Sequence, residues 1–305
     1  MVNYEKIFID GIGNCLKISN EVMSFTVTCD IGPRVIELQL NEKKSVLFHD
    51  ENDEFNGLNE NYAVYGDLGT WHIYGGHRLW ASPEETLRTA YPDNQPITVT
   101  EIVNGVKISG NMQVHNNIKA EMIIQFYSSN KLAVEHIITN SNSYPIEIAA
   151  WPITVMAYGG FAAVKMTDTQ TGLLPNRTMS FWPYAKLNDE RVYFGEKYLT
   201  LKADKDNETA FKFGLKTNAG YASYFTDDTL FVKRFEMQEG TYPDFGCNYE
   251  SYTTKAMLEM ESLSPLKIIG KNETISHSEV WELHELETAP DRKDEQAIDE
   301  ILKTF

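Results

Sequence analysis

Apolar and polar residues alternate one for one along much of this chain, in short blocks parted by polar turns. Such blocks occupy 22–28, 34–40, 97–102, 106–113, 119–126 and 133–139 in the first half. In the second half they occupy 199–201, 210–215, 221–225, 229–236, 256–263 and 279–286. A strand points successive side chains to opposite faces, so a period of two predicts half-buried β-strands. Asn104-Gly105 and Ser129-Asn130 fall between neighbouring blocks and tolerate the positive φ of tight hairpins, which predicts antiparallel pairing. Helical periodicity emerges only near the end. After Pro290 the run is rich in early acids and sets Ala297, Ile298, Ile301 and Leu302 on one stripe, predicting a short docked helix within 290–305. The fold class expected is all-β, a large antiparallel β-sandwich with a short C-terminal helix. With no internal repeat and no Gly/Ser linker, one domain over 1–305 is expected, its sandwich spanning 1–286.

The stretch Phe48 to Glu85 departs from the alternation. It is acidic, then rich in Gly, Tyr and Trp, and reads as a long functional loop laid over a rigid sheet.

Composition narrows the function classes. An apolar share of 42%, with 12% aromatics, is ample for a sizeable core. A net charge of −17, from 44 acidic against 27 basic residues, repels a phosphate backbone, so no nucleic-acid partner is expected. No basic leader precedes an apolar segment and no run reaches membrane-spanning length, so the chain is expected to be soluble and cytoplasmic, with no membrane partner. Cys15, Cys29 and Cys247 are odd in number and lack CxxC spacing, which predicts buried free thiols. HExxH, GxSxG, P-loop and dinucleotide glycine patterns are all missing from the sequence, and neither metal nor organic cofactor is expected.

Candidate chemistry concentrates in Gly75-Gly76-His77-Arg78-Leu79-Trp80, followed by Glu84 and Glu85. Sugars are gripped by aromatic faces under their rings and by charged or amide groups at their hydroxyls, so indole, guanidinium, imidazole and carboxylate in one run suit a sugar site. Glu259 and Glu261 stand two apart in an apolar strand and share a face, with Glu250 nine residues earlier. Crowded carboxyls have raised pKa values, which fits a general base near neutral pH. Arg177 and Trp182, with Tyr184 beside them, read as a second wall. Trp151 and Lys233 complete the binding candidates, and His277 before Glu279 and Trp281 reads as a packing histidine.

These residues carry a resemblance. Asp30-Ile31-Gly32-Pro33-Arg34 resembles the opening strand pair of galactose mutarotase-like proteins, the aldose 1-epimerases and their relatives. Gly-Gly-His-Arg-Leu-Trp (75–80), Trp151 with Thr154, Leu-Leu-Pro-Asn-Arg (173–177), Trp-Pro-Tyr (182–184) and Glu259 with Glu261-Ser262-Leu263-Ser264-Pro265 resemble an uncharacterised bacterial branch of that superfamily. The resemblance covers roughly Met1 to Leu286. It implies a β-supersandwich holding a hexose in an open groove, where a late glutamate removes the anomeric proton and a histidine protonates the ring oxygen. The glutamate falls on Glu261 or Glu259, and the sugar-holding arginine and histidine on Arg78 and His77. The family's acid lies in an Asn-His-x-Tyr-Phe pattern, but the matching stretch 142–160 contains Trp151 and no histidine.

The expected function is a carbohydrate-binding protein of aldose 1-epimerase type, an isomerase with Glu261 or Glu259 as base and His77 as acid or hydroxyl ligand. The sugar-binding set is Arg78, Trp80, Glu84, Trp151, Arg177, Trp182, Glu250 and Lys233. The expected partner is a small-molecule sugar or glycan. The alternatives are a non-catalytic sugar-recognition protein and a lyase or hydrolase on the same fold. Arg78, Arg177, Arg191, Lys216 and Lys233 would suit a phosphate or uronate if they converged.

Overall fold

The computed structural model describes residues 1–57 and 68–305, with backbone alone at 86 and 87. Two large sheets, of eleven and ten strands among the described residues, are joined throughout by antiparallel pairings. In the first sheet the spatial order runs through Asn3–Ile9, Gly13–Ser19, Met23–Thr28, Val35–Leu40, His77–Ser82, Ile146–Met156, Leu258–Ser262, Tyr249–Thr253, Phe211–Leu215 and Met179–Phe181; Lys267–Ile269 also pairs with Ile146–Met156. The second runs through Val192–Phe194, Tyr198–Lys202, Phe161–Lys165, Tyr221–Phe225, Thr229–Phe235, Thr274–Glu285, Lys131–Asn140, Ile118–Ser128, Gly105–Ser109 and Thr98–Ile102.

The alternating blocks become strands, some with one dry face and others, such as Met23–Thr28 and Phe211–Leu215, buried throughout. Ile118–Ser128 buries every second residue from Ile118 to Ile124, and its hairpin partner Lys131–Asn140 does the same from Leu132 to Asn140. Ser128 faces Lys131 across the tight turn, and Asn104 takes a φ of 56° at the other predicted hairpin. Inward residues of both sheets meet in one large cluster. It includes Phe25, Val35 and Leu38 from the first sheet and Val106, Met122 and Leu132 from the second. Burying each such side chain is worth about 1.5–3 kcal/mol.

The C-terminal helix is found at Glu295–Leu302, capped by Asp294, whose side chain accepts from the Ala297 backbone N–H. Ile298, Ile301 and Leu302 pack on Phe161 and Tyr198 of the second sheet. Glu295 pins it there by accepting the backbone N–H groups of Glu196, Lys197 and Tyr198.

Part of the expected loop is instead regular. His77–Ser82 is a central strand of the first sheet, and Asn56–Gly57 pairs with Trp71–His72 in a short ribbon. The part from 58 to 67 lies outside the described residues. Gly75 and Gly76 let the chain enter that strand, at φ 98° and 69°. A Cβ on either would stand 2.1 Å from a backbone oxygen, of Phe48 or of Val35. Cys15 and Cys247 are buried free thiols and Cys29 a half-buried one. No helix among the described residues is long and apolar enough to cross a membrane.

Candidate functional site

Strand register assembles the site. Ile146–Met156 lies between His77–Ser82 and Leu258–Ser262, setting Arg78 beside Ile153 and Ile153 beside Glu261. Glu261 in turn faces Glu250, and Glu259 faces Tyr252, which neighbours Lys212. Because facing residues share a side of the sheet, all of these project from the face turned away from the other sheet. Trp80 and Trp151 face one another one row along.

On this face lies a cavity of about 450 Å³, lined by Arg78, Trp80, Trp151, Lys212, Tyr252 and Glu259 among others. Its aromatic walls are continuous. Trp71 lies 6.2 Å from Trp80 between ring centres, and Trp80 lies 5.7 Å from Trp151 in an edge-on pair. The Arg78 guanidinium sits 4.4 Å from the Trp80 ring, and the Lys212 ammonium sits 4.7 Å from Trp151 and 4.5 Å from Trp182.

Charge is arranged in two buried groups. Arg78 Nη2 donates to Glu259 Oε1 at 2.9 Å, leaving Arg78 Nε and Nη1 buried without a hydrogen-bond partner. Lys212 Nζ lies 2.8 Å from both Glu250 and Glu261, and Glu261 Oε2 also accepts from the Trp151 indole at 2.8 Å. Glu250 and Glu261 are directly opposed across the strands, a like-charge contact that destabilises a sheet unless a cation bridges it, as Lys212 does. Burial pushes the Glu250 carboxyl well above its ordinary value, against the pull of Lys212. Lys212 is itself held well above the ordinary lysine value; burial opposes this, but Glu250 and Glu261 outweigh it. Burial raises Glu259 too, opposed by Arg78, and pushes the Tyr252 hydroxyl up to about 12. Glu84 is exposed on the rim, yet enough protein surrounds its carboxyl for desolvation to raise it.

Arg78, Trp80, Glu84, Trp151 and Glu259 thus line the cavity, Glu250 and Glu261 lie beneath it, and Trp182 reaches its Lys212. Three of the expected site residues lie elsewhere. His77 adjoins Arg78 in a strand, so it points to the opposite face and is wholly buried between the sheets. Lys233 is likewise enclosed there, paired with Glu279 at 3.0 Å. Arg177 is exposed and braces a loop by donating to the carbonyls of Thr167 and Glu196. The residue the sequence reading missed is Lys212. Its signal was a lysine between Phe211 and Phe213 in an apolar strand, where the alternation commits it to the face opposite the phenylalanines.

The inter-sheet cluster also bears on metal binding. His77, His136 and Glu279 offer ligand atoms within 4.8 Å of one another. Their hydrogen bonds, however, assign every proton. His136 Nδ1 donates to the His277 carbonyl, so its Nε2 accepts from His77 Nε2 at 2.7 Å, and His77 Nδ1 accepts from the Thr154 hydroxyl. Glu279 holds Lys233, Ser262 and the Trp281 indole. The Lys233 ammonium therefore already fills the place of a cation, and the donor set is closed without a metal. His277, predicted as a packing histidine, bonds Ser262 at 2.9 Å in the same layer.

No family model matches this chain, and no curated protein sequence matches it significantly. Solved structures do resemble it. A galactose mutarotase-like protein from Clostridium acetobutylicum superposes with a TM-score of 0.57 at 12% identity, covering 93% of this chain and 99% of its own. One from Lactobacillus casei gives a TM-score of 0.55 at 9% identity, covering 88% and 100%. A candidate aldose 1-epimerase from Escherichia coli K12 gives 0.57 at 8%, covering 94% and 100%. With nearly complete coverage in both directions, this chain shares the fold of these galactose mutarotase-like proteins.

Proposed function

We propose that the cavity binds a sugar ring and interconverts its anomers by acid–base ring opening. The observation that carries this reading is Glu259, a carboxylate held by Arg78 and opening into an aromatic-walled cavity that also presents the Lys212 ammonium. Of the two glutamates considered as base, Glu259 lines the cavity, whereas Glu261 is wholly buried with Trp151 and Lys212 on one oxygen. Glu259 then takes the proton of the anomeric hydroxyl as the bond from C1 to the ring oxygen breaks. Lys212 stabilises the charge growing on that oxygen and shares a proton with it. Rotation of the open-chain aldehyde about its C1–C2 bond and reversal of both transfers close the ring as the other anomer. Raising the Glu259 pKa by burial improves it as a base, and Glu261 positions Lys212.

A second reading, a sugar-recognition protein without turnover, is favoured by the lack of a histidine among the described residues lining the cavity. Thermal unfolding against a panel of free sugars, followed by exchange NMR of anomeric protons for any sugar that stabilises, separates the two. A ligand at a hundred times its dissociation constant adds about 2.7 kcal/mol, a clear shift of midpoint. Stabilisation with accelerated exchange, lost in Glu259→Gln, supports the epimerase; stabilisation without exchange leaves recognition alone. No stabilisation by any sugar removes both.

A further inference from the structure

Charge balance around the cavity narrows the ligand further, on the reading that the site takes a sugar. Among the described residues, Glu54, Glu84 and Glu259 line the cavity, and Glu250 and Glu261 lie beneath it. Against these five carboxyls the same wall and floor present two cations, Arg78 and Lys212, and both are already engaged by carboxylates at 2.9 and 2.8 Å. The other basic side chains that would have neutralised an anion have gone elsewhere. Arg191 is buried against Asp189 at 2.7 Å, Lys233 is sealed between the sheets with Glu279, and Arg177 braces an exposed loop.

One further observation points to a ligand and not merely to an acidic surface. Arg78, 3% exposed and lining the cavity, keeps Nε and Nη1 buried and unpaired, which suits the oxygens of sugar hydroxyls. A phosphate or uronate entering here would have to share Arg78 and Lys212 with the carboxylates that already hold them, beside Glu54 and Glu84 on the same wall and within a chain of net charge −17. An ammonium would instead meet a rim carboxyl that stands outside both ion groups.

We propose that the ligand is a sugar carrying a positive charge, of the amino-sugar class, and that sugar phosphates and uronic acids are refused. Glu84, on the rim and outside both buried ion groups, is the carboxylate placed to meet the ammonium.

The test is titration calorimetry of the full chain near neutral pH. The probes are hexosamine, hexose and hexose 6-phosphate sets in the gluco, galacto and manno configurations. In at least one set the hexosamine is expected to bind about tenfold or more tighter than its hexose, the yield of one added charge-assisted contact. That preference should weaken with added salt and shrink in Glu84→Gln. Equal or tighter binding of the hexose, or tighter binding of any 6-phosphate, overturns the charge inference and leaves the sugar site standing. Failure of every sugar to bind overturns the sugar reading and this inference with it.

Discussion

The pair of Lys233 and Glu279 offers a sharp test of how the two sheets are held. Lys233 Nζ lies 3.0 Å from Glu279 and donates to Thr154, Met260 and Pro152, with both charged side chains wholly buried. At that separation the attraction is about 5–6 kcal/mol for an effective dielectric of roughly 20. Replacing Lys233 by Met removes it and strands a carboxylate that keeps only Ser262 and Trp281 as donors. The stranded group has one escape, which is to take up a proton. At neutral pH, holding a proton on a carboxyl of ordinary pKa 4.5 costs about 3.4 kcal/mol, at about 1.36 kcal/mol per unit. The expected loss for Lys233→Met is therefore about 3–5 kcal/mol, in line with broken buried pairs in general. The pH dependence carries the signature. In the variant the folded-state pKa of Glu279 lies above its unfolded value, so folding takes up a proton and the penalty shrinks as pH falls towards 4.5. Lys233→Met with Glu279→Gln should regain most of the loss and show no such dependence. Urea unfolding followed by tryptophan fluorescence, at neutral pH and near pH 5, measures wild type, Lys233→Met, Glu279→Gln and the double variant. A single-variant loss under about 1 kcal/mol, or a double variant as unstable as the sum of the singles, would refute the reasoning.

Other expectations follow from the same contacts. Burial lowers the pKa of His77, His136 and His277, the last to about 3, so each is neutral when folded and gains a proton on unfolding below 6.5. Stability from each is whole above 6.5 and is lost as pH falls, at about 1.4 kcal/mol per unit. Since Glu250 and Glu259 act with the opposite sign, the clean measurement is the stability difference between wild type and His277→Gln from pH 6.5 to 4.5, which should narrow by about that slope. Trp151→Phe deletes the indole donor to Glu261 and should cost about 1.5–3 kcal/mol by chemical denaturation. Glu295→Ala removes the acceptor of three backbone N–H groups and should cost about 1–2 kcal/mol while speeding proteolysis of the C-terminal helix. Arg78→Leu leaves Glu259 buried and unpaired and should cost about 3 kcal/mol or more in unfolding, whereas Arg78→Leu with Glu259→Gln should not.

How much of this was legible depended on whether the second face of a strand carries polar residues. Every alternating block named from the sequence overlaps an observed strand: in Ile118–Ser128 and Lys131–Asn140 the second face is the wetter one, while Met23–Thr28, Phe211–Leu215 and Leu258–Ser262 are buried throughout and alternate because their second face carries buried polar side chains. Ile146–Met156 and Phe161–Lys165 gave no such signal, being apolar on both faces along most of their length. The cavity aromatics lie over the first, and the C-terminal helix packs on the second. His77–Ser82 reads as loop in the sequence for the converse reason: His77 and Arg78, adjacent, are both polar, so neither face looks dry. For the site, Arg78, Trp80, Trp151 and the glutamates stood out by residue type. Lys212 did not: its place between two phenylalanines commits it to one face, but not to carboxylates that lie three and four strands further along the chain.

That adjacency of His77 and Arg78 has a consequence for how substitutions sort. One strand serves two polar clusters, separated by the thickness of a single sheet. Arg78 and Trp80 reach the cavity, while His77 joins His136, Thr154 and, through it, Lys233 in the sealed layer. The strand Leu258–Ser262 repeats the division, with Glu259 and Glu261 on the cavity side and Ser262 bonded to Glu279 and His277 within. Parity along these strands, rather than nearness in sequence, therefore decides the outcome. Changes at 78, 80, 151, 259 and 261 should alter ligand affinity or turnover as well as stability, whereas changes at 77, 154 and 262 should alter stability and its pH dependence and leave the cavity's own contacts in place. A site built on rigid central strands needs that arrangement. The sealed layer locks the backbone from beneath, and the cavity side chains carried on these strands, Arg78, Trp80, Trp151 and Glu259, inherit fixed positions from it.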